Sequence, residues 1–203
     1  MPIAVLDLFA QYFLPAAGWL SLAAAAWLFF ARPPAWRKTY LKKLAGGIIG
    51  IRFVYFAVLT AAQYYLWANN EFSRLFLDSR VGGIWNYFAP YIGLRFGLNF
   101  LLTLLAAYLW WQFLRFLEKY RSRFFEEDEV LLGLLCALLV GWPNFVIFVP
   151  AVFLAVVLIA LLRRWAWGAR RTTLGLPFLI GAAAALIWAL PFIHALGWDA
   201  LRV

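Results

Sequence analysis

The sequence contains one cysteine and one histidine among its 203 residues. Because Cys136 has no second cysteine to pair with, an intrachain disulfide and a cysteine-rich metal site are both excluded. A lone histidine does not make a metal site, so we expect His194 to lie at a membrane interface or in a hydrogen bond. Gly-rich phosphate loops, His-Glu-x-x-His zinc motifs and serine-nucleophile motifs are also absent. The sequence therefore predicts no bound cofactor.

Charge is scarce as well. Only 13% of residues are charged, whereas 67% are hydrophobic and 20% are aromatic, with 12 tryptophans. A soluble domain spreads charge over its surface, but this chain keeps its charge in short blocks between apolar runs. Tryptophan at this frequency is typical of the aromatic belts at the two bilayer interfaces. The composition predicts an all-α, polytopic membrane helical bundle, with residues 1–203 forming a single transmembrane domain.

The net charge of +9 arises mainly from three basic blocks. Thirteen of the 18 Lys and Arg residues lie in residues 32–43, 115–123 and 163–171, and each block adjoins an apolar run. This pattern follows the positive-inside rule rather than the layout of a nucleic-acid-binding surface. We therefore expect basic loops on the cytoplasmic side of a bacterial-type cytoplasmic (inner) membrane, in contact with anionic lipid headgroups, and no nucleic-acid partner.

Apolar runs that match a bilayer core of about 30 Å define the expected crossings. The first is 12–31, which ends at Arg32-Pro33-Pro34 because proline cannot continue a helix. No basic region precedes it, so we expect no cleavable signal. Further crossings are predicted at 44–68, 96–114, 130–140, 145–162 and 174–198. The count is about six, in a range of five to seven, with both termini outside.

Two connecting segments are also predicted. The polar link 69–83 is expected to contain a short interfacial helix. Pro90 and Arg95 are expected to divide the apolar run that follows into a lead-in, 84–94, and the crossing proper.

The longest uncharged run, residues 130–162, would be roughly 50 Å long as a single helix. The tetrapeptide Gly141-Trp142-Pro143-Asn144 supplies turn residues in its middle, so the sequence predicts a hairpin. The surrounding charges agree with this, because basic blocks precede and follow the run and both favour the cytoplasm. The run must then cross the membrane an even number of times.

A few polar and small residues within the apolar runs suggest further roles. A charge inside a membrane indicates function by default, although Arg52 and Arg95 could also extend to a nearby interface. We favour the interface for Arg95, whereas both interpretations stay open for Arg52. Gly46 and Gly50 form a small-xxx-small pair of the kind that permits close helix contact in lipid.

An acidic cluster, residues 126–129, directly precedes the longest apolar run. Its carboxylates could stabilise a helix N-terminus, with Asp128 as the cap and Glu129 in the first turn. They could bind a divalent cation, for which Glu126 and Glu127 are candidates, or serve as general acid and base. An acidic surface for a partner is the fourth possibility.

The order of motifs around this cluster has a known parallel. Asp128-Glu129-Val130 opens a short apolar arm ending in Gly141-Trp142, and a basic loop and Leu176-Pro177-Phe178 follow. Upstream, Leu77-Asp78-Ser79-Arg80 precedes Ile84-Trp85-Asn86. In this order, residues 77–185 resemble the membrane core of type IV prepilin peptidases, intramembrane aspartyl proteases with a Gly-x-Gly-Asp motif. The resemblance implies a catalytic dyad of Asp78 with Asp128 or Glu129, although the two signature glycines are absent.

The crossing count bears on this dyad, because it places Asp78 outside and the acidic cluster inside. Two carboxylates on opposite faces of a membrane cannot share a proton or a water. We therefore favour a non-catalytic membrane component, a degenerate relative of these peptidases that assembles with a protein partner. The alternatives are a divergent aspartyl protease that processes pilin-like leader sequences and a small transporter lined by Arg52.

Overall fold

The computed structural model describes residues 3–78, 83–120, 127–167, 174–195 and 197. Within these ranges the chain is helical and contains no strand. The α-helices are α1 (Ile3–Ala31), α2 (Pro34–Ala68), α3 (Glu71–Arg74), α4 (Ala89–Ile92), α5 (Leu98–Tyr120), α6 (Glu127–Val140), α7 (Phe145–Trp167) and α8 (Gly175–Ala195). Four helical segments are long and apolar enough to cross a membrane, and Gly175–Ala189 is a shorter apolar one. The predicted all-α helical bundle is therefore confirmed.

The first two helices meet at the prolines that the sequence marks as a break. α1 ends at Ala31, and α2 begins at Pro34, where a missing N–H has no cost because the first turn has no acceptor for it. Helix α2 starts ten residues earlier than the predicted crossing, so the first basic block belongs to its opening turns rather than to a loop. The helix ends at Ala68, as predicted.

The predicted short helix in the polar link is present as α3, followed by a 3₁₀ turn, Leu75–Leu77. Asn70 caps it, because its Oδ1 accepts hydrogen bonds from the backbone N–H groups of Phe72 and Ser73 at 3.0 and 3.1 Å. This arrangement satisfies two donors that the start of a helix otherwise leaves unpaired.

The predicted division at Pro90 and Arg95 is not observed. Helical structure runs through Ile84–Tyr120, with π-helical turns at Ile84–Phe88 and Gly93–Gly97 on either side of α4. A π-turn widens the hydrogen-bonding ladder to i→i+5 and absorbs irregular positions without ending the helix. The proline and the arginine are accommodated in this way, and the lead-in and the crossing form one continuous segment.

The turn of the predicted hairpin lies where the sequence placed it, between Val140 and Phe145. α6 ends at Val140 and α7 begins at Phe145, with a turn at residues 141–144. Gly141 has a φ of 66°, a left-handed conformation that glycine adopts readily and that commonly follows the last residue of a helix. Helix α7 extends to Trp167, so the basic pair Arg163-Arg164 lies in its final turns.

Contacts along α6 define the directions of two neighbours. Gly133 near the start of α6 lies against Leu114, whereas Trp142 just beyond its end bonds to Thr103, so α5 is antiparallel to α6. Arg37 of α2 pairs with the N-terminus of α6 and Arg52 with its C-terminus, so α2 is parallel to it.

The remaining helices follow from similar contacts. The start of α8 contacts the start of α6 through Glu129, so these two helices begin at the same end. Gly175 at that end also lies against Phe29, near the end of α1, while Gly18 lies beside Leu139. Because α7 connects the far end of α6 with the near end of α8, it must run back antiparallel to both.

The described parts of the three basic blocks and of the acidic cluster consequently lie at one end of the bundle, which we call the basic end. The end of α1 and the starts of α2, α6 and α8 meet there, together with the ends of α5 and α7. The opposite end holds α3 and the turn that follows it. The turn at 141–144 is recessed from that opposite end, because α2 continues past Arg52 for about 24 Å of helix.

Helix α6 is the centre of the bundle. It is 14 residues long, and every residue from Asp128 to Val140 except Leu131 and Leu134 is buried. Two glycines within helices permit close packing, since a Cβ on Gly133 would come within 3 Å of Leu114 and one on Gly181 would come within 3 Å of Val152. Gly46 and Gly50, in contrast, have no neighbouring atom within 4 Å of a Cβ position. Among the described residues, none makes the predicted small-residue contact at Gly46 and Gly50.

We expect Gly181→Ala to destabilise the bundle by about 2 kcal/mol, because the added methyl group would overlap the Val152 side chain and press on its backbone. Gly47→Ala is the matched control, since its methyl group would enter open space and alanine favours a helix by up to about 1 kcal/mol. Unfolding in a graded detergent mixture should separate the two variants. Equal stabilities would show that α7 and α8 do not pack as closely as described.

Candidate functional site

The acidic N-terminus of α6 is bound by the basic N-terminal turns of α2. Asp128, only 7% exposed, accepts a hydrogen bond from Arg37 Nη1 at 3.2 Å through its Oδ2. Lys38 pairs with the exposed Glu127 beside it. The Arg37 guanidinium also donates to the Arg32 carbonyl at 2.8 Å and lies over the Phe29 ring. The positive charges of the first basic block thus compensate the negative charges of Asp128 and Glu127. The two segments are 91 and 89 residues apart in sequence at these pairs, but they are neighbours in the fold.

Glu129 has a different partner, the start of α8. Its Oε1 accepts hydrogen bonds from the backbone N–H groups of Leu174 and Gly175 at 2.8 and 3.2 Å. The side chain is buried, with 2% of the residue exposed. A carboxylate at this position satisfies unpaired donors and complements the positive end of the helix dipole. Glu129 lies in the first turn of α6, as predicted, whereas Asp128 also lies within that turn and is not the predicted cap, because α6 includes Glu127. Of the four possibilities for the acidic cluster, the contact of Glu129 matches the stabilisation of a helix N-terminus, here that of α8.

Lys38 alters the titration of Glu127. The hydrogen bond and charge of Lys38 lower the pKa of the Glu127 carboxyl below its usual value. A group with a lowered folded-state pKa contributes stability above its unfolded pKa and loses it as the pH falls through the folded value. Because Glu127 is exposed, solvent screens this pair, and we expect little effect on stability at neutral pH.

A cation site finds no support in the described part of the chain. No group of three or more His, Cys, Asp or Glu residues in that part lies close enough to hold a metal ion. Glu127 is paired with Lys38, and the other candidate, Glu126, lies outside the described residues.

Arg52 binds the opposite end of α6. Its Nε donates to the Leu138 carbonyl at 2.8 Å and its Nη2 to the Leu139 carbonyl at 2.9 Å. These carbonyls belong to the last turn, where a helix leaves four acceptors without partners. The cation also faces the negative end of the helix dipole. We call Arg37, Lys38 and Arg52 the α2 clamp, because together they bind both ends of α6.

The lengths of the two helices explain why one helix can bind both ends of the other. The interval from Arg37 to Arg52 rises about 22 Å, and the 14 residues of α6 rise about 21 Å. Since α2 and α6 are parallel, each basic group meets the helix end that carries the opposite partial charge. The clamp therefore settles the open question about Arg52 in favour of an interior contact rather than extension to an interface.

Backbone N–H groups in and after the turn that follows α6 also find hydrogen-bond partners within the protein. The backbone N–H of Trp142 donates to Thr103 Oγ1 at 2.9 Å, and Thr103 donates to the Asn99 carbonyl at 2.9 Å. The Phe145 N–H closes the turn onto the Gly141 carbonyl at 2.8 Å. Non-helical backbone at membrane depth needs such partners, because lipid offers none.

The space beside Arg52 is small. A cavity of about 20 Å³ lies between α1, α2 and α6, with Ser21 and Arg52 as its polar residues. That volume holds about one water molecule. The polar cavity that a transporter lined by Arg52 requires is not formed at this place.

The two members of the predicted catalytic dyad are not brought together. Asp78 follows the 3₁₀ turn at the end opposite the basic end, where Phe76 packs on Trp67 near the end of α2. Asp128 lies beside Arg37 at the start of the same helix. About 30 residues of α2 separate these levels, so the carboxylates are on the order of 40 Å apart. This separation excludes a shared proton or water in this conformation.

Arg95 and His194, the other two residues that the sequence indicated, both lie on the surface. Arg95 is exposed and donates to the Tyr91 hydroxyl at 2.8 Å; its position at an interface stays a prediction. His194 is exposed in the last turn of α8.

Sequence reasoning missed the contacts that join distant segments. It treated the first basic block as a cytoplasmic loop and did not pair Arg37 and Lys38 with the acidic cluster. Their opposite charges and comparable positions at helix starts were the available signal. Thr103, which holds the turn at Trp142, carried no signal at all, because a threonine in an apolar helix is common.

We expect Glu129→Gln to lower the free energy of unfolding by about 2 kcal/mol, because a neutral amide oxygen accepts the two α8 N–H bonds more weakly than a carboxylate. Glu127→Gln is the control at a neighbouring, exposed carboxylate and should leave stability almost unchanged, because solvent screens this pair. Chemical unfolding in detergent micelles measures both. A larger loss for Glu127→Gln would contradict the assignment of Glu129 as the cap of α8.

The chain has no significant match among protein-family models, curated proteins or solved structures. The class of this protein is therefore inferred from its own sequence and structure. Long apolar helices around a buried, charge-compensated helix define an all-α membrane bundle.

Proposed function

We propose that this protein is a non-catalytic component of a bacterial-type cytoplasmic membrane, which spans it about six times and assembles with a protein partner. The observation that carries the proposal is the state of the acidic cluster. Asp128 is bound by Arg37, Glu127 by Lys38 and Glu129 by the N-terminus of α8. Each carboxylate of this cluster in the described chain thus has a structural role that ionised oxygens perform best.

The separation of the acids supports the same proposal. A peptidase of the aspartyl type needs two carboxylates within reach of one water, and Asp78 lies at the end of α2 opposite Asp128. The resemblance to prepilin peptidases then concerns the arrangement of helices and turns rather than catalysis. Orientation follows from the positive-inside rule, which favours the basic end in the cytoplasm.

A partner surface is available on α2. Gly46, Gly47 and Gly50 are exposed, and no atom lies within 4 Å of the Cβ position of any of them. Phe53 and Val54 continue this exposed face for another turn. Small residues at this spacing allow a second transmembrane helix to approach closely, which strengthens packing where lipid removes the hydrophobic driving force. We propose this face as the contact for the partner helix.

The test is co-purification from native membranes in lipid nanodiscs. Wild-type protein should retain a membrane partner that the double variant Gly46→Leu, Gly50→Leu loses, because leucine side chains would hold the helices apart. Gly93→Leu, at another glycine with open space around it, should retain the partner. Loss of the partner from both variants, or from neither, would exclude the α2 face.

A second experiment addresses catalysis. A co-expressed prepilin should be left unprocessed by the wild-type protein and by Asp78→Asn alike. Processing by the wild type that Asp78→Asn or Asp128→Asn abolishes would overturn the non-catalytic proposal.

A further inference from the structure

An apolar groove lies on the flank of the bundle between α5 and α7. Its volume is about 480 Å³, and it runs from Leu102 and Trp142 at the recessed turn to Phe113 and Phe153 nearer the basic end. All ten of its lining side chains are apolar or aromatic. Leu105, Leu109 and Phe153 on its rim are more than half exposed, so the groove opens sideways, toward the membrane.

The base of the groove is closely packed. Trp110 is 6% exposed and its ring makes edge-to-face contacts with four phenylalanine rings at centroid distances between 5.8 and 6.5 Å; they are Phe145, Phe148, Phe153 and Phe178. Edge-to-face contacts of this kind fix the orientation of each ring. Trp110 is therefore held among aromatic rings at the base of the groove.

The shape of the groove selects its occupant. It extends along α5 for about 16 Å of helix, which gives a mean cross-section of roughly 30 Å². A helix about 10 Å in diameter has a cross-section of roughly 80 Å², so only the side chains of its facing surface could enter the groove. A single hydrocarbon chain is narrow enough, and the wholly apolar lining suits it.

Charge at one end of the groove indicates the headgroup. Tyr120 lies on the groove-lining face of α5, about 10 Å beyond Phe113, and Lys119 is beside it. On α7 the lining face continues from Phe153 through Val156 and Ala160 to the exposed Arg164. Both walls thus end in a cation at the basic end, where the headgroups of one leaflet lie.

We propose that the groove binds one acyl chain of an anionic phospholipid from the leaflet at the basic end, with its phosphate between Lys119 and Arg164. The chain fills the space between α5 and α7, and the two cations provide the preference for a negative headgroup. This site requires no partner protein, so it stands or falls independently of the proposed assembly through α2.

The experiment is photocrosslinking in vesicles with a phospholipid that carries a diazirine on its acyl chain. Phosphatidylglycerol and phosphatidylcholine with the same chain are compared, and adducts on wild-type protein are mapped by mass spectrometry. Adducts should concentrate on residues 102–113 and 142–153. Ala106→Phe should reduce them to the level of other lipid-facing segments, because the ring would occupy the groove. Ala61→Phe, at an exposed alanine of α2, should leave them unchanged.

The headgroup preference is tested separately. The double variant Lys119→Gln, Arg164→Gln should lower the ratio of phosphatidylglycerol to phosphatidylcholine adducts roughly tenfold, since each cation near the surface favours an anionic lipid. Arg95→Gln at the opposite end should not change this ratio. If Ala106→Phe does not fold, Leu105→Trp on the exposed rim replaces it.

Three results would overturn the proposal. The first is an even distribution of adducts over all lipid-facing segments, and the second is a groove signal that survives both filling variants. The third is efficient disulfide-linked dimerisation of Leu109→Cys in a Cys136→Ser background, which would show that a second copy covers the groove.

Discussion

Replacing Arg52 by leucine is expected to lower the free energy of unfolding by about 3 kcal/mol. The substitution leaves the carbonyls of Leu138 and Leu139 without their donors at 2.8 and 2.9 Å, and an unsatisfied buried acceptor costs about 1–3 kcal/mol. Removing a cation from the membrane interior offsets part of this loss. The offset is small, because the dipole of α6 already compensates the charge in the folded state.

The free energy of unfolding of Arg52→Lys should lie between those of the wild type and Arg52→Leu. An ammonium group keeps the charge but cannot bind two successive carbonyls as a planar guanidinium does. Arg95→Leu is the control. That arginine is exposed and bonds to the Tyr91 hydroxyl one turn away, so its loss should cost less than about 0.5 kcal/mol. Equilibrium unfolding in mixed micelles measures all three. If Arg52→Leu were as stable as the wild type, the α2 clamp would have no energetic role.

Gly141→Ala is expected to destabilise the protein by at least about 3 kcal/mol, through two effects. The φ of 66° is a left-handed conformation that costs a residue with a Cβ about 1–2 kcal/mol. The new Cβ would also lie within 3 Å of three atoms of the Arg52 guanidinium. The side chain would then have to move away from the carbonyls that it binds.

The two effects can be separated. Gly197 has a φ of 67° and no atom within 4 Å of its Cβ position, so Gly197→Ala reports the backbone strain without the collision. In the double variant Gly141→Ala, Arg52→Leu the collision is gone, and the combined loss should be smaller than the sum of the single losses by about 1 kcal/mol or more. Strict additivity would show that Gly141 and Arg52 are not in contact.

Local sequence signals predicted the helix boundaries at two junctions. Prolines marked the junction of α1 and α2, and Gly141-Trp142-Pro143-Asn144 marked the turn between α6 and α7. These signals succeed because a missing N–H or a left-handed φ acts on the backbone at its own position. The predicted break near Pro90 failed for a related reason, since neighbouring π-turns can absorb a proline without ending the helix.

The candidate site was predictable only in part. A helix-terminal role was one of four possibilities for the acidic cluster, but its partners lie on other helices and could not be inferred from spacing. Arg37 finds Asp128 only because α2 and α6 are parallel and begin at the same end. Helix direction and neighbours depend on the packing of the whole chain, and local sequence does not contain this information.

The accessibility of positions 78 and 127 to a membrane-impermeant thiol reagent tests the central claim most directly. Both residues are exposed, and Asp78→Cys and Glu127→Cys would be compared in a Cys136→Ser background, in intact cells and in inverted vesicles. The account predicts that position 78 reacts from outside the cell and position 127 only from the cytoplasmic side. Labelling of both positions from the same side would contradict the placement of the two acids at opposite ends of the bundle, and would restore the case for a catalytic pair.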